Sequence, residues 1–238
     1  MSLEQPTSIG VYGLGRFGVF YASLLSRLGT VRAWSRDPDK QPPPGVIRVP
    51  SEQELCRLPV VVLCVAISAM QEVLRRIAPL LAPGTLVMDT CSVKALPARW
   101  MRELLPDSVQ VLATHPMFGP DSGRASVAGL PLVLCPVRCP PEVADRWHEG
   151  FAGLGLAVRQ MQPDEHDREA AFTQGLTHYV GRVLSELRLQ PSPIATVGYR
   201  KLLEIVEQTG NHSWQLFFDL QRHNPHTREM RRELERSL

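Results

Sequence analysis

At 238 residues the chain has room for one large domain, or a medium domain and a small one. Its 44% hydrophobic and 21% charged residues are ordinary for a globular protein in water. A net charge of +2 gives no case for a nucleic-acid or anionic-membrane binder, and no apolar run reaches the roughly 18 residues that span a bilayer.

The leading MSLEQPTS lacks the basic and apolar regions of a signal peptide, which points to a cytoplasmic protein. Residues 8–12 form a short β-type run, and 17–28 follow with apolar residues at helical spacing. Residues 31–34 read as a second strand, and PDKQPPPG as a proline-rich loop. The stretch 59–65 is almost continuously apolar, as expected of a parallel strand covered on both faces. A helix over 69–81, a strand over 85–89, a helix over 96–105 and a strand over 109–113 continue the alternation. Residues 130–135, a helix over 141–154 and a strand over 156–161 extend it. This order predicts an α/β fold: a Rossmann-type, doubly wound, mostly parallel sheet. After Pro163 only helical stretches remain, over 164–188, 197–208, 212–222 and 225–237. The expected division is a dinucleotide-binding domain over 1–163 and a helical substrate and dimerisation domain over 164–238. So short a tail buries little core alone, which favours a homodimer joined through these helices. No internal repeat is visible.

The string GVYGLGRFG, residues 10–18, has a strand before it and a helix after it. In that setting Gly13 makes the tight turn, Gly15 admits the pyrophosphate and Gly18 lets helix and strand approach. Leu14, Arg16 and Phe17 complete the turn, and Val65 ends the third strand; all four are counted as cofactor-binding. Where an NAD site usually carries an acid, the second strand ends in AWSRD. Ser35 and Arg36 suit a 2′-phosphate, so NADP is favoured over NAD; Asp37, one position late, is the residue that would serve NAD. The competing reading of Arg36 is a solvated loop residue.

Two stretches follow at strand ends, where open α/β sheets place their ligands: MDTCSVK, 88–94, and ATHPMFGPDSG, 113–123. His115, directly after its strand, is a candidate general base. Ser92, after the neighbouring strand, is placed to hydrogen-bond the imidazole. A satisfied core histidine is the alternative.

VYGLGRFG, DTCSVK, HPMFGPDSG, EHDREAAFTQGLTHYVGRVL and SPIATVGY together resemble the prephenate/arogenate dehydrogenase family of tyrosine biosynthesis. The resemblance covers about residues 9–224, and its helical part is most similar to plant-type arogenate dehydrogenases. It implies oxidative decarboxylation of arogenate or prephenate with hydride transfer to the nicotinamide. His115 would then deprotonate the ring 4-hydroxyl, with Ser92 orienting that hydroxyl beside the cofactor. The resemblance further implies His178 as a substrate-facing helical histidine. Gln174, one turn earlier, stands where another branch of the family has histidine, and helix packing explains it equally. For the substrate carboxylate Arg200 and Lys201 are the nearest candidates, and Arg182 is another. Asp219 would suit the amino group of arogenate, although a solvated helix surface accounts for it too.

His212, His223 and His226 invite a metal reading, but Pro225 breaks the helix the last two would share, so a solvated surface is preferred. No metal is expected. The cysteines (Cys56, Cys64, Cys91, Cys135 and Cys139) are scattered and fit a reducing compartment. Two other readings stay open: a β-hydroxyacid or imine-type dehydrogenase using NADP, and a non-catalytic NADPH-sensing Rossmann protein. A separate regulatory or mutase domain is not expected from these 238 residues.

Overall fold

The computed structural model describes residues 7–237, so most of the MSLEQPTS leader lies outside the described residues. The chain divides into two compact units, Met1–Pro163 and Asp164–Leu238.

The first unit is a sheet wrapped by helices. In chain order it contains β1 (Thr7–Tyr12), α1 (Arg16–Leu25), β2 (Gly29–Trp34), β3 (Ile47–Arg48), α2 (Glu52–Cys56) and β4 (Val60–Leu63). Then come α3 (Met70–Ile77), β5 (Leu86–Asp89), α4 (Ala95–Leu104), β6 (Gln110–Pro116), β7 (Pro131–Arg138), α5 (Pro141–Gly153) and β8 (Ala157–Gln160). The strand order is β3-β2-β1-β4-β5-β6-β7-β8. Every pairing is parallel except β6 with β7. β4 and β5 are buried at every position, as central strands covered on both faces must be. Met70, Val73, Leu74 and Ile77 of α3 are all buried, the i, i+3, i+4, i+7 stripe of a helix facing a core. α5 starts with proline in its first turn, where a missing N–H costs nothing, and buries Ala144, Trp147 and Phe151.

Several boundaries differ from the periodicity. α1 stops at Leu25, not Leu28, because Gly29 already pairs with Thr7 and the chain must turn over three residues to reach that register. β3 and α2 carry no periodicity long enough to read, being two and five residues long. β6 continues through Pro116 because its antiparallel neighbour extends the ladder, pairing His115 with Val133 and Pro116 with Leu132. His115 therefore sits within a strand rather than after one.

The second unit is helical: α6 (Pro163–Ala170), α7 (Leu176–Glu186), α8 (Val197–Gly210), α9 (Trp214–His223) and α10 (Thr227–Arg236). The helix expected over 164–188 is interrupted by a π-helical turn, Ala171–Gly175. A long-range contact meets its end. The Gln221 side chain donates from Nε2 to the Gly175 carbonyl at 2.9 Å, at the last residue of this turn. α9 and α10 part at Pro225, as expected, and α10 buries Met230 and Thr227. Among the described residues no helix is long and apolar enough to cross a membrane.

α7 and α8 approach closely at Gly181. A Cβ there would lie 2.3 Å from Thr209 Oγ1 and 2.8 Å from its Cγ2. Thr209 cannot easily yield, since its hydroxyl donates to the Ile205 carbonyl at 2.8 Å. Gly181→Ala is therefore expected to lower stability by about 1–3 kcal/mol through overpacking. In thermal melts, adding Thr209→Ala should recover part of the loss; simple additivity of the two changes would show that this approach is not limiting.

Candidate active site

The loop between β1 and α1 is built for close approach. Gly13 has φ +105°, and a Cβ on it would lie 2.5 Å from the Cys64 carbonyl oxygen. A Cβ on Gly18 would lie 1.9 Å from the Gly13 carbonyl oxygen, so this turn closes only with glycine at both places. Gly15 is different: a Cβ there would meet no protein atom within 4 Å, which leaves the backbone open on that side. Gly15 is also the N-cap of α1, with no side-chain cap and no acid in the first turn. The first N–H groups of α1 and the positive end of its dipole thus face open space, which suits a pyrophosphate. Leu14 is buried in the core and Phe17 stacks on Tyr21 at 5.2 Å, so both offer the loop backbone only.

Beside this loop lies a pocket of about 320 Å³ lined by Gly13, Gly15, Ser35, Arg36, Val65 and Arg76, among others. Most of the residues expected to hold a dinucleotide are brought together here. A larger hollow of about 720 Å³ opens at the amino-terminal ends of the strands, lined by Thr7, Gly84 and Arg146, and none of the motif residues lines it.

Arg16 points elsewhere than a phosphate, pairing with Asp121 at 2.9 and 3.1 Å. That contact joins the glycine loop to HPMFGPDSG. Phe20 of α1 meets Phe118 edge-on at 6.2 Å and reinforces the same junction.

Asp89 organises the neighbouring strand ends. It is fully buried and accepts from the Thr114 N–H at 3.0 Å through Oδ1 and from the Cys91 N–H at 3.0 Å through Oδ2. Lys94, equally buried, donates from Nζ to Asp89 Oδ2 and to the Thr114 carbonyl at 2.5 Å. The Thr114 hydroxyl closes the network on the Asp89 carbonyl at 2.5 Å. The Ser92 loop is thereby tied to the residue preceding His115. The hydrogen bond expected from Ser92 to the imidazole is not formed, because Ser92 Oγ is buried without a partner among the described residues. Asp89 and Lys94 carried a signal that residue-by-residue reading missed: an acid and a base bracket Ser92 within DTCSVK.

In the helical unit His178 is buried and stacks on His212, with centroids 4.9 Å apart and planes 7° from parallel. His212 is thus a packing partner rather than a solvated residue. Gln174 Oε1, in the π turn, and His178 Nδ1 are both buried without a hydrogen-bond partner among the described residues. Arg182 is engaged, donating to the His212 carbonyl and lying 4.2 Å above the Trp214 ring. Arg200 is exposed on the first turn of α8 and donates to the Ala195 carbonyl at 2.9 Å, while Lys201 pairs with Glu204. Asp219 is buried, not solvated, and accepts from Gln215 at 2.7 Å. His226 is held by Asp164 at 3.0 Å, and His223 lies 3.8 Å from Asp219. Among the described residues no group of three or more metal-ligating side chains is arranged to hold an ion.

Comparison with known proteins fits this geometry. Residues 48–145 match the family model "Prephenate dehydrogenase, nucleotide-binding domain", and residues 183–238 match "TYRAAT1-like, C-terminal domain". Arogenate dehydrogenase 2, chloroplastic, of Arabidopsis thaliana is 35% identical, spanning 98% of this chain and 68% of its own length. The chain belongs to the prephenate/arogenate dehydrogenase family. Arogenate dehydrogenase 1, chloroplastic, of the same plant is also 35% identical, over 93% of this chain but only 36% of its own length. The crystal structure of prephenate dehydrogenase from A. aeolicus, in complex with hydroxyphenyl propionate and NAD+, has the same fold. It matches at TM-score 0.78 and 17% identity, over 100% of this chain and 89% of that one. In this member of the family, the nucleotide-binding model begins beyond the glycine loop, so the cradle rests on its own geometry.

Burial, with His212 and Arg182 adding to it, pushes His178 down to about 4. An unfolded histidine titrates near 6.5. Between those values the unfolded chain binds a proton that the folded chain excludes, so stability is expected to fall as pH drops from 6.5 to 4. Melting temperatures across that window should show a shallower slope for His178→Gln than for the wild type; equal slopes would assign the effect to another group.

Proposed function

We propose that this chain catalyses the oxidative decarboxylation of arogenate or prephenate with NADP as oxidant, in tyrosine biosynthesis. The observation that carries the reading is the buried Ser92 and His115 pair, locked to two adjacent strand ends by Asp89 and Lys94. When bound, the nicotinamide accepts the hydride.

Gly13, Leu14, Gly15, Arg16, Phe17 and Gly18 form the phosphate turn, with Arg16 bracing it through Asp121. Ser35 and Arg36 serve the adenosine ribose, and Val65 and Ser92 complete the cofactor side. His115 holds the proton that leaves the ring 4-hydroxyl. Ser92 orients that hydroxyl, a role supported by its buried and unpartnered Oγ. The ring carboxylate departs as CO₂ while the ring becomes aromatic, so the protein must chiefly position the ring and remove one proton. No metal enters this scheme.

In the helical unit we assign His178 and Gln174 to the substrate, because each presents a buried polar atom whose missing hydrogen bond a ligand can supply. A neutral His178 acts there as a hydrogen-bonding group, not a cation. Arg200 remains the carboxylate candidate, supported by its exposure at the start of α8, although one Nη is used on the Ala195 carbonyl. Residues 1–163 are thus the dinucleotide-binding domain, and 164–238 the substrate and dimerisation domain.

Turnover of arogenate and of prephenate, each with NADP and NAD, tests the assignment directly. His115→Asn is expected to lower kcat about 10²- to 10⁴-fold while leaving NADPH binding unchanged. Full turnover in that variant would remove His115 as the base; absence of turnover in the wild type with both substrates would favour a cofactor-sensing role.

We further propose a homodimer through the helical unit. Apart from Ile47, the large hydrophobic side chains left exposed among the described residues all belong to it, including Val183, Leu187, Ile194 and Trp214. Light scattering is expected to give twice the 26.6 kDa of one chain. The double change Val183→Asp with Leu187→Asp should shift that mass toward one chain; an unchanged mass would move the interface elsewhere.

A further inference from the structure

We propose that Lys40 is a second cation for the cofactor's 2′-phosphate beside Arg36, and that Arg48 is the positioning residue that sets both. This deepens the NADP reading above and rests on it.

The pocket beside the glycine loop is lined by five ionisable side chains outside Tyr12: Arg36, Asp37, Lys40, Glu72 and Arg76. Three of them are already engaged. Arg76 pairs with Glu52 at 2.9 Å and with Glu72 at 3.2 Å. The Asp37 carboxylate accepts from the Asp39 N–H at 3.0 Å, which turns it toward its own loop. Arg36 and Lys40 remain, and neither side chain has a hydrogen-bond or ion-pair partner among the described residues. Two cations without ion-pair partners among the described residues suit a group bearing close to two negative charges, even with the Asp37 carboxylate nearby. A phosphomonoester near neutral pH is such a group, and a ribose hydroxyl is not.

The loop that carries these cations does not hold itself. Arg48, half-buried on β3, donates from Nη1 to the Lys40 carbonyl and from Nη2 to the Ser35 and Asp37 carbonyls, at 3.3 and 3.1 Å for the latter two. One rigid guanidinium thus gathers three carbonyls and fixes where residues 35–40 present their side chains. It also ties up their negative ends, which would otherwise be free to repel an anion. β3 is a two-residue strand pairing Ala33 with Arg48, and its position beside the end of β2 is what brings Arg48 to this loop. Arginine supplies a planar fork and lysine a point charge, so the two would contact different phosphate oxygens.

The test measures binding rather than turnover, with adenosine 2′,5′-bisphosphate and adenosine 5′-monophosphate as probes in calorimetric titrations of the full chain. Wild type is expected to prefer the bisphosphate. Lys40→Ala should weaken bisphosphate binding about tenfold, the loss expected for one charge-assisted contact, and leave monophosphate binding within about twofold. Lys40→Arg should restore the preference. Arg48→Met should reduce it as Lys40→Ala does, although Arg48 itself touches no ligand. If wild type prefers the bisphosphate and Lys40→Ala keeps that preference, the clamp is wrong while the NADP reading stands. If wild type does not distinguish the probes, the NADP reading fails and the clamp with it. Lys40 is exposed, so its variants test the proposal even where Arg48→Met perturbs the fold.

Discussion

The buried pair of Asp89 and Lys94 is the contact on which the candidate chemistry depends. An ionised carboxylate and ammonium lose several kcal/mol each on leaving water, and their attraction offsets this only when every remaining polar position is also filled. Here Asp89 takes two backbone N–H groups besides the ammonium, and Lys94 takes a backbone carbonyl besides the carboxylate. The partners belong to the end of β5, the loop after it, and β6. Such a pair adds little net stability compared with apolar packing, but it tolerates few other arrangements, so it specifies geometry. What it specifies is the spacing between Ser92 and His115. Those two side chains need not touch each other to be placed; each is placed by a neighbour in the network.

The antiparallel return of β7 contributes a second restraint. With β7 alongside, His115 has ladder partners on its own strand edge and cannot drift as a loop residue would. The glycine loop is coupled to this region through Arg16 with Asp121 and Phe20 with Phe118. The ion pair is solvent-exposed and worth only about 0–1 kcal/mol, so its value lies in direction rather than strength. The aromatic contact, with Gly123 leaving room for the Phe20 ring, does more of the holding.

How much of this was legible in the chain depends on the range over which each feature is determined. The glycine turn was readable because its demands are local: a Cβ at Gly13 or Gly18 strikes backbone within the same turn or the adjacent strand end. The apolar runs of β4 and β5 were readable because burial on both faces removes any alternation. Features set by distant partners were not. β3 is too short to have a pattern and exists because β2 offers it an edge. The π turn at 171–175 meets Gln221, a partner far along the chain that no local pattern announces. Arg48 works on carbonyls, which every residue has, so no motif announces it. The expected Ser92–His115 bond failed for a related reason: adjacency of strand ends was legible, but side-chain direction within a network was not. His212 looked like a surface residue because its apolar contact is a ring on another helix.

The helical unit buries several polar side chains and leaves several large apolar ones exposed. Asp167, His178, Thr209, Asp219, Gln221, Asn224 and Thr227 are all buried, while Val183, Leu187, Ile194, Val197 and Trp214 are exposed. Buried polar groups in so small a unit contribute little driving force, although they fix helix register: Asn224 donates to the Asp167 carbonyl at 2.7 Å, and the Thr227 hydroxyl to the Gln221 carbonyl at 2.9 Å. A unit assembled in this way has its geometry decided internally, whereas much of its apolar surface is left for burial elsewhere. Any partner that covered those side chains would add stability only to the folded form, which would link folding to association. Gln174 Oε1 and His178 Nδ1 stand out in this otherwise well-tied bundle, being buried with no hydrogen-bond partner among the described residues.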